Sequence, residues 1–206
     1  MRGIALLTKV LAALALACAV ASGARADGIT VRDAKLVSVD GGLALDADFS
    51  FNLTPKLEEA VANGVPLYFV VDFELTRPRW WWFDERLASK RLQVRLAYHV
   101  LSRKYRLSTG QLQQSFATLD DALRVLQRVR NWLVVDRSVA LASGDYDAAV
   151  RMRLDTTQLP KPFQINALTS GDWHLDSPWL RFTYRSAGPP PAPVESRQPT
   201  PVGKVR

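Results

Sequence analysis

The fold is decided by one stretch of alternating residues near the middle of the chain, Leu67-Tyr68-Phe69-Val70-Val71-Asp72-Phe73-Glu74-Leu75. The odd-numbered positions are all apolar, whereas both carboxylates stand at even-numbered positions. Successive side chains of a β-strand point to opposite faces of a sheet, so this run predicts a strand with one face in a core and one in water. Half-buried strands of this kind are typical of antiparallel sheets.

The same alternation extends outward along the chain. It recurs at 43–53, 92–101 and 146–155. Five further strands are predicted at 29–39, 105–107, 133–141, 163–168 and 179–184. In the first of these the apolar phase slips, which indicates a β-bulge near Asp33.

Two short helices are predicted between the strands. Thr54 is a good N-cap, Pro55 suits the first turn, and Asn63-Gly64 ends the first helix. The second begins at Thr118, and helical spacing follows at Leu119, Ala122, Leu123, Leu126, Val129 and Leu133. About nine strands and two helices predict a mainly β (α+β) fold, an antiparallel β-sandwich formed by residues 27–185.

Both ends of the chain differ from this domain. Arg2 and Lys9 precede an uncharged run, and Ala24-Arg25-Ala26 resembles a signal-peptidase site. Residues 1–26 are therefore predicted to be a signal peptide cleaved after Ala26, which implies a periplasmic protein; the run is short for an uncleaved membrane anchor. Residues 186–206 begin with clustered prolines and are predicted to form a disordered tail, with a docking peptide as the alternative.

Charge and composition exclude several functions. The chain of 206 residues has a net charge of +7, but its ends carry most of it, and residues 27–185 retain only +2. A domain so close to neutral lacks the clustered positive charge that nucleic-acid binding needs. The single cysteine, Cys18, lies in the predicted signal, and His99 and His174 lie on separate elements. A zinc site needs three or four converging ligands, so we expect no metal or cofactor.

Catalytic motifs are missing from the sequence. It contains no nucleophile elbow, P-loop, dinucleotide fingerprint or H-E-x-x-H pair. Ser170-Gly171-Asp172-Trp173-His174 holds the residue types of a hydrolytic triad, but adjacency favours a turn. The charges on the polar strand faces are interpreted as cross-strand pairs rather than a ligand site; they are Asp72, Glu74, Arg95, Arg151 and Arg153.

The least ordinary segment is Arg77-Pro78-Arg79-Trp80-Trp81-Trp82-Phe83-Asp84. If it is extended, Trp80 and Trp82 share one face while Trp81 projects opposite, beside Arg79 and Phe83. Exposed Trp and Arg are typical of interface hot spots and suit membrane interfaces. Burial of both faces remains the structural alternative. The candidate binding residues are Arg77, Arg79, Trp80, Trp81, Trp82, Phe83 and Asp84.

Several short motifs occur in a recognisable order. After the predicted signal come Pro66-Leu67-Tyr68-Phe69, the Arg/Trp segment, Arg103-Lys104-Tyr105-Arg106-Leu107, Arg151-Met152-Arg153-Leu154-Asp155 and Leu159-Pro160-Lys161-Pro162-Phe163-Gln164, and Trp173 closes the series. Over about residues 27–185 the chain resembles family 4390 of the domains of unknown function, proteobacterial proteins often labelled proline-rich signal peptide proteins. The resemblance implies export and genes near a two-component sensor kinase and a ribosomal-RNA methyltransferase, and it implies no catalytic residues.

Three functions follow as hypotheses. The first is a non-enzymatic periplasmic domain that binds an envelope or membrane protein, such as the sensor part of a kinase. The second is a lipid or envelope-polymer binding module, in peripheral contact with membrane or cell wall, that uses Trp80–Trp82. The third is an enzyme with paired carboxylates among Asp72, Glu74, Asp84 and Glu85, as in glycoside hydrolysis.

Overall fold

A computed structural model of the protein describes residues 28–78 and 85–188. Within these residues the chain forms nine strands: β1 Thr30–Val39, β2 Gly42–Ser50, β3 Leu67–Arg77, β4 Glu85–His99, β5 Lys104–Thr109, β6 Leu112–Phe116, β7 Arg128–Asp136, β8 Gly144–Leu154 and β9 Leu180–Ser186. The α-helices are α1 Pro55–Ala62, α2 Leu119–Leu126 and α3 Lys161–Thr169. Two 3-10 helices cover Thr156–Gln158 and Gly171–Trp173.

The strands form two antiparallel sheets. One has three strands in the order β1-β2-β7, and the other has six in the order β6-β5-β4-β3-β8-β9. Together they make a sandwich-like α+β fold, so the fold class expected from the alternating pattern is confirmed.

The core lies between the inner faces of the two sheets. The inward residues of β3 are fully buried, and the ring of Phe69 stacks on that of Phe51 with 5.4 Å between centroids. On the outer face of the same strand, Val70 and Asp72 are also buried, although the alternation predicts an exposed face. β3 has partners on both sides, β4 and β8, and their side chains cover it.

The three-stranded sheet depends on a close approach at its hairpin. β1 and β2 pair across Val39 and Gly42, and the register shifts between Val31 and Asp33, which confirms the predicted bulge. Gly42 has a φ of 137°, and a Cβ atom there would overlap the backbone of β7 at Val135. Only glycine therefore lets β7 pair with the start of β2.

The first predicted helix is confirmed at both ends. The hydroxyl of Thr54 accepts a hydrogen bond from the backbone N–H of Leu57 at 3.3 Å. The C-cap is Asn63, followed by Gly64 at a φ of 85°.

The second helix begins as predicted but ends early. The hydroxyl of Thr118 accepts from the backbone N–H of Asp121 at 3.2 Å, yet α2 ends at Leu126 and β7 begins at Arg128. The backbone N–H of Phe49 donates to the carbonyl of Gln127 at 2.8 Å. Pairing with β2 thus overrides helical spacing beyond Leu126, and the strand predicted at 133–141 lies at Arg128–Asp136 instead.

We expect Thr118→Ala to lower the free energy of unfolding by about 1 kcal/mol, because the first turn of α2 loses its side-chain cap. Thr118→Ser keeps the hydroxyl and is expected to stay close to the wild type. Urea denaturation of the three proteins provides the measurement. Equal stability of the alanine variant and the wild type would show that the cap contributes nothing.

The strand predicted at 163–168 is wrong, because these residues lie in α3. β8 already pairs with β3 on one side and β9 on the other, so this segment, which follows β8 in the chain, has no free side of β8 to pair with. β6 is the strand that the sequence analysis missed. The described residues therefore contain the predicted nine strands with a different membership, and three α-helices rather than two.

Candidate functional site

The Arg/Trp segment is mostly outside the described residues. Arg77 ends β3, and the central carbon of its guanidinium lies 5.9 Å from the ring centroid of Tyr146. Arg79, Trp80, Trp81, Trp82, Phe83 and Asp84, and also Ala26, fall in ranges that the structure does not describe.

A groove opens between the two sheets on one side of the sandwich. Its volume is about 950 Å³. β4, β5 and β6 form one wall, β7 forms the other, and α2 lies at the end. The apolar lining consists of Leu92, Val94, Leu107, Leu112, Phe116, Val125, Leu126, Val129 and Trp132.

The groove exists because the sandwich is open on that side. β6 and β7 are terminal strands of their sheets. On the opposite side β1 lies near β9, and the backbone N–H of Ile29 donates to the carbonyl of Asp176 at 3.1 Å. At the open side Leu112 is 75% exposed and Val125 is 42% exposed, so apolar surface faces solvent there.

The polar rim of the groove is positively charged. Arg124, Arg128 and Arg130 line it together with a single carboxylate, that of Asp121. A hydrogen bond from the Thr118 hydroxyl, together with Arg124, holds the pKa of Asp121 below its ordinary value. Arg130 pairs with Asp48 at 2.6 Å and donates to the carbonyl of Ala47 at 3.0 Å. Asp121 and Asp48 offset the charges of Arg124 and Arg130, so the rim keeps a surplus of one positive charge, that of Arg128.

β6 presents an open backbone edge beside the groove. It joins β5 through Gly110-Gln111, and Thr109 pairs with Leu112 across this two-residue turn. The closing pair of such a hairpin is a hydrogen-bonded pair, so the next outward-facing backbone groups belong to Gln113 and Ser115. The sequence signal that could have predicted β6 is this turn, because Gly110, at a φ of 56°, lies between two short runs of polar and apolar residues.

The outer face of the six-stranded sheet carries a second cluster, which we name the Asp72 cluster. Asp72 accepts hydrogen bonds from the Nε atoms of Arg91 at 2.9 Å, Arg151 at 3.2 Å and Arg153 at 3.1 Å. Burial raises the pKa of Asp72, but hydrogen bonds and charge from Arg91 and Arg153 outweigh it and hold that pKa below its ordinary value. The predicted cross-strand pairing of Asp72 with Arg151 and Arg153 is confirmed, and Arg91 joins it.

The Ser170–His174 segment does not assemble a hydrolytic triad. The carboxylate of Asp172 accepts from the Ser170 hydroxyl at 2.8 Å and pairs with Lys56. The pKa of Asp172 is lowered, first by the hydrogen bond from Lys56. The His174 backbone joins the 3-10 turn through Gly171, so the segment is a turn, as expected.

The described ranges contain neither a cluster of metal-ligating side chains nor a membrane-spanning helix. No group of three or more His, Cys, Asp or Glu side chains there is arranged to hold a metal ion. Among the helices of 28–78 and 85–188, none has the length and apolar character needed to cross a bilayer.

The architecture and the groove define the class of protein: a mainly β, two-sheet domain with an open, partly apolar side. The model of the family described as Domain of unknown function (DUF4390) matches residues 26–183, so the chain belongs to that family. No curated protein and no solved structure matches the chain.

Proposed function

We propose that this protein is an exported, non-enzymatic binding module for a protein partner in the cell envelope. It captures an extended segment of the partner as an added strand beside β6, with alternate side chains in the groove. Export is proposed because residues 1–26 resemble a signal peptide, and this peptide is proposed to be cleaved after Ala26. A sensor component is the partner that the family resemblance favours.

The observation that supports this proposal most directly is the composition of β6. Its sequence, Leu112-Gln113-Gln114-Ser115-Phe116, contains no charge and no proline. Proteins normally protect exposed strand edges with charged residues or proline. The other terminal strands follow that rule: β1 carries Arg32, Asp33 and Lys35, β7 carries Arg128 and Arg130, and β9 carries Arg181 and Arg185.

The groove supplies what an added strand needs besides hydrogen bonds. In strand addition the backbone bonds give affinity, and pockets for alternate side chains give specificity. Leu112 and Phe116 share the inner face of β6 with the groove, so inward residues of a neighbouring strand would meet the same apolar lining. The arginine rim selects for acidic residues on the same segment.

Lipid binding is the second candidate, and the groove itself favours it. Its volume of about 950 Å³ and its apolar lining with few polar groups are typical of small-molecule sites. An acyl chain with an anionic headgroup would meet both the lining and the arginines. In this alternative the ligand needs the groove but not the backbone edge of β6, and Trp80–Trp82 would contribute aromatic surface.

The sharpest test replaces Gln113 by proline. Proline removes the outward backbone N–H that an added strand would use, while the bonds from β6 to β5 at Leu112 and Gln114 remain. We expect one or more envelope proteins to be captured by the tagged wild type and depleted at least about tenfold with Gln113→Pro, because binding loses backbone bonds. Quantitative mass spectrometry of the captured material is the measurement, and it also reports the mature N-terminus.

Gln113→Ala is the matched control, because it truncates the same side chain and keeps the N–H. It is expected to capture the partner like the wild type. Ser115→Pro repeats the test at the next outward residue, should Gln113→Pro reduce the melting temperature. Equal capture by all four proteins would contradict strand addition, and lipid present in all four would favour the second candidate. Self-association lost in the proline variants would assign the edge to a second copy of this chain.

A further inference from the structure

The Asp72 cluster holds more positive charge than its carboxylate offsets. Three guanidinium groups share the carboxylate of Asp72, whose side chain is only 10% exposed. Asp155 lies 4.0 Å from Arg153 and adds a second negative charge, which its hydrogen bonds from the uncharged side chains of Thr157 at 2.6 Å and Gln158 at 2.8 Å leave in place. Like charges held this close destabilise each other unless anions balance them.

Two of the three arginines have terminal nitrogens without a carboxylate partner in the described residues. Each gives its Nε atom to Asp72, and within the described residues the terminal nitrogens of Arg91 and Arg151 have no protein acceptor. Their side chains remain 64% and 36% exposed. The guanidinium carbon of Arg151 also lies 4.6 Å from the ring centroid of Trp179, which fixes the plane of the group. Planar guanidinium groups with free terminal nitrogens are suited to bidentate binding of oxyanions.

The surroundings extend this charge. On the same outer face, Arg95 lies on β4 opposite Tyr68, with Gln93 between it and Arg91, and Arg181 lies on β9 opposite Ala149. The nearest acid along β3 on this face, Glu74, is 3.8 Å from Arg86. With Asp155 counted, the three guanidinium groups stand against two carboxylates, so the cluster keeps a surplus of one positive charge that can attract an oxyanion.

We propose that Arg91, Arg151 and Arg153 form a binding site for a phosphate group. Asp72 orients the three arginines through their Nε atoms, and the terminal nitrogens bind the phosphate oxygens. The phosphate is either free in solution, as in an inorganic polyphosphate, or part of a lipid headgroup. This site lies on the face of the six-stranded sheet opposite the groove, so it does not depend on the proposed partner segment.

Binding of inorganic pyrophosphate is measured by calorimetry. Binding to vesicles of phosphatidylcholine, with or without phosphatidic acid, is measured by sedimentation. We expect the full-length protein to bind one of these probes. The double variant that combines Arg91→Gln with Arg151→Gln is expected to bind that probe at least about tenfold more weakly, since charge-assisted hydrogen bonds are lost. Binding of pyrophosphate alone identifies a soluble ligand. Binding only to vesicles that contain phosphatidic acid identifies a headgroup.

Arg185→Gln is the matched control. Arg185 also lies on the six-stranded sheet and pairs with one aspartate, Asp145, but its side chain is 82% exposed and outside the cluster. We expect this variant to bind like the wild type. An equal loss in Arg185→Gln, or binding to neither probe, would overturn the proposal. If the double variant fails to fold, Arg91→Gln alone provides the test, because this side chain is largely in solvent.

Discussion

Trp173→Ala is expected to lower the free energy of unfolding by about 3–4 kcal/mol, the cost of removing a large buried aromatic side chain. Trp173 is only 4% exposed, and its ring centroid lies 5.3 Å from that of Phe163. This contact joins the 3-10 helix Gly171–Trp173 to α3. The N-cap of α3 is Pro160, which provides no side-chain hydrogen bond, so the helix depends on tertiary packing.

Urea denaturation measures the loss, and hydrogen exchange locates it. The amides of 161–169 are expected to exchange faster in Trp173→Ala than in the wild type, and more so than those of β3. Ile165→Ala is the control, because Ile165 lies on the same helix with its side chain 65% exposed. A loss below about 1 kcal/mol in Trp173→Ala would contradict the packing role of this ring.

Asp72→Asn is expected to lower the free energy of unfolding at neutral pH by about 2–3 kcal/mol, because three arginines lose their shared negative charge. The estimate stays at the low end for a buried ion pair, since the arginines are partly exposed. Asp145→Asn is the control: Asp145 pairs with Arg185 in solvent, and little change is expected there.

The same variant predicts a pH dependence. The pKa of Asp72 is lower in the folded protein than in the unfolded chain, so its charge contributes fully above the unfolded value of about 3.9 and is lost as pH falls through the folded pKa. The stability difference between wild type and Asp72→Asn is therefore expected to shrink below about pH 4. Denaturation at a series of pH values tests this. A difference that is constant down to pH 2 would show that the carboxylate charge is not its cause.

Local patterns predicted the elements whose neighbours agree with them. The alternation at 67–75 predicted β3, and Thr54 with Asn63 predicted α1. Residues 128–133 follow helical spacing, but the open edge of β2 recruits them as a strand. Residues 163–168 have strand-like composition, but both neighbours of β8 are already in place. Such choices depend on which edges remain unpaired, and no local pattern contains that information.

The candidate sites show the same limit. Asp72, Arg151 and Arg153 were predicted to pair across strands, because they stand on the polar faces of neighbouring runs. Arg91 was missed, since the predicted strand began one residue later. The groove was not foreseen at all, because its lining comes from four strands and a helix that meet only in the folded chain. The Arg/Trp segment remains a prediction, as residues 79–84 lie outside the described ranges.

β2 pairs with β7 and β3 pairs with β8, so both sheets join segments that lie far apart in the sequence. Arg153 reaches Asp72 across 81 residues, and Arg130 reaches Ala47 across 83. Neither sheet is complete until most of the domain has been synthesised, and topologies dominated by distant contacts fold in about milliseconds to seconds. The strands of a newly made chain therefore stay unpaired until late in synthesis, and the edge of β6 gains the groove beside it only once β7 has joined β2.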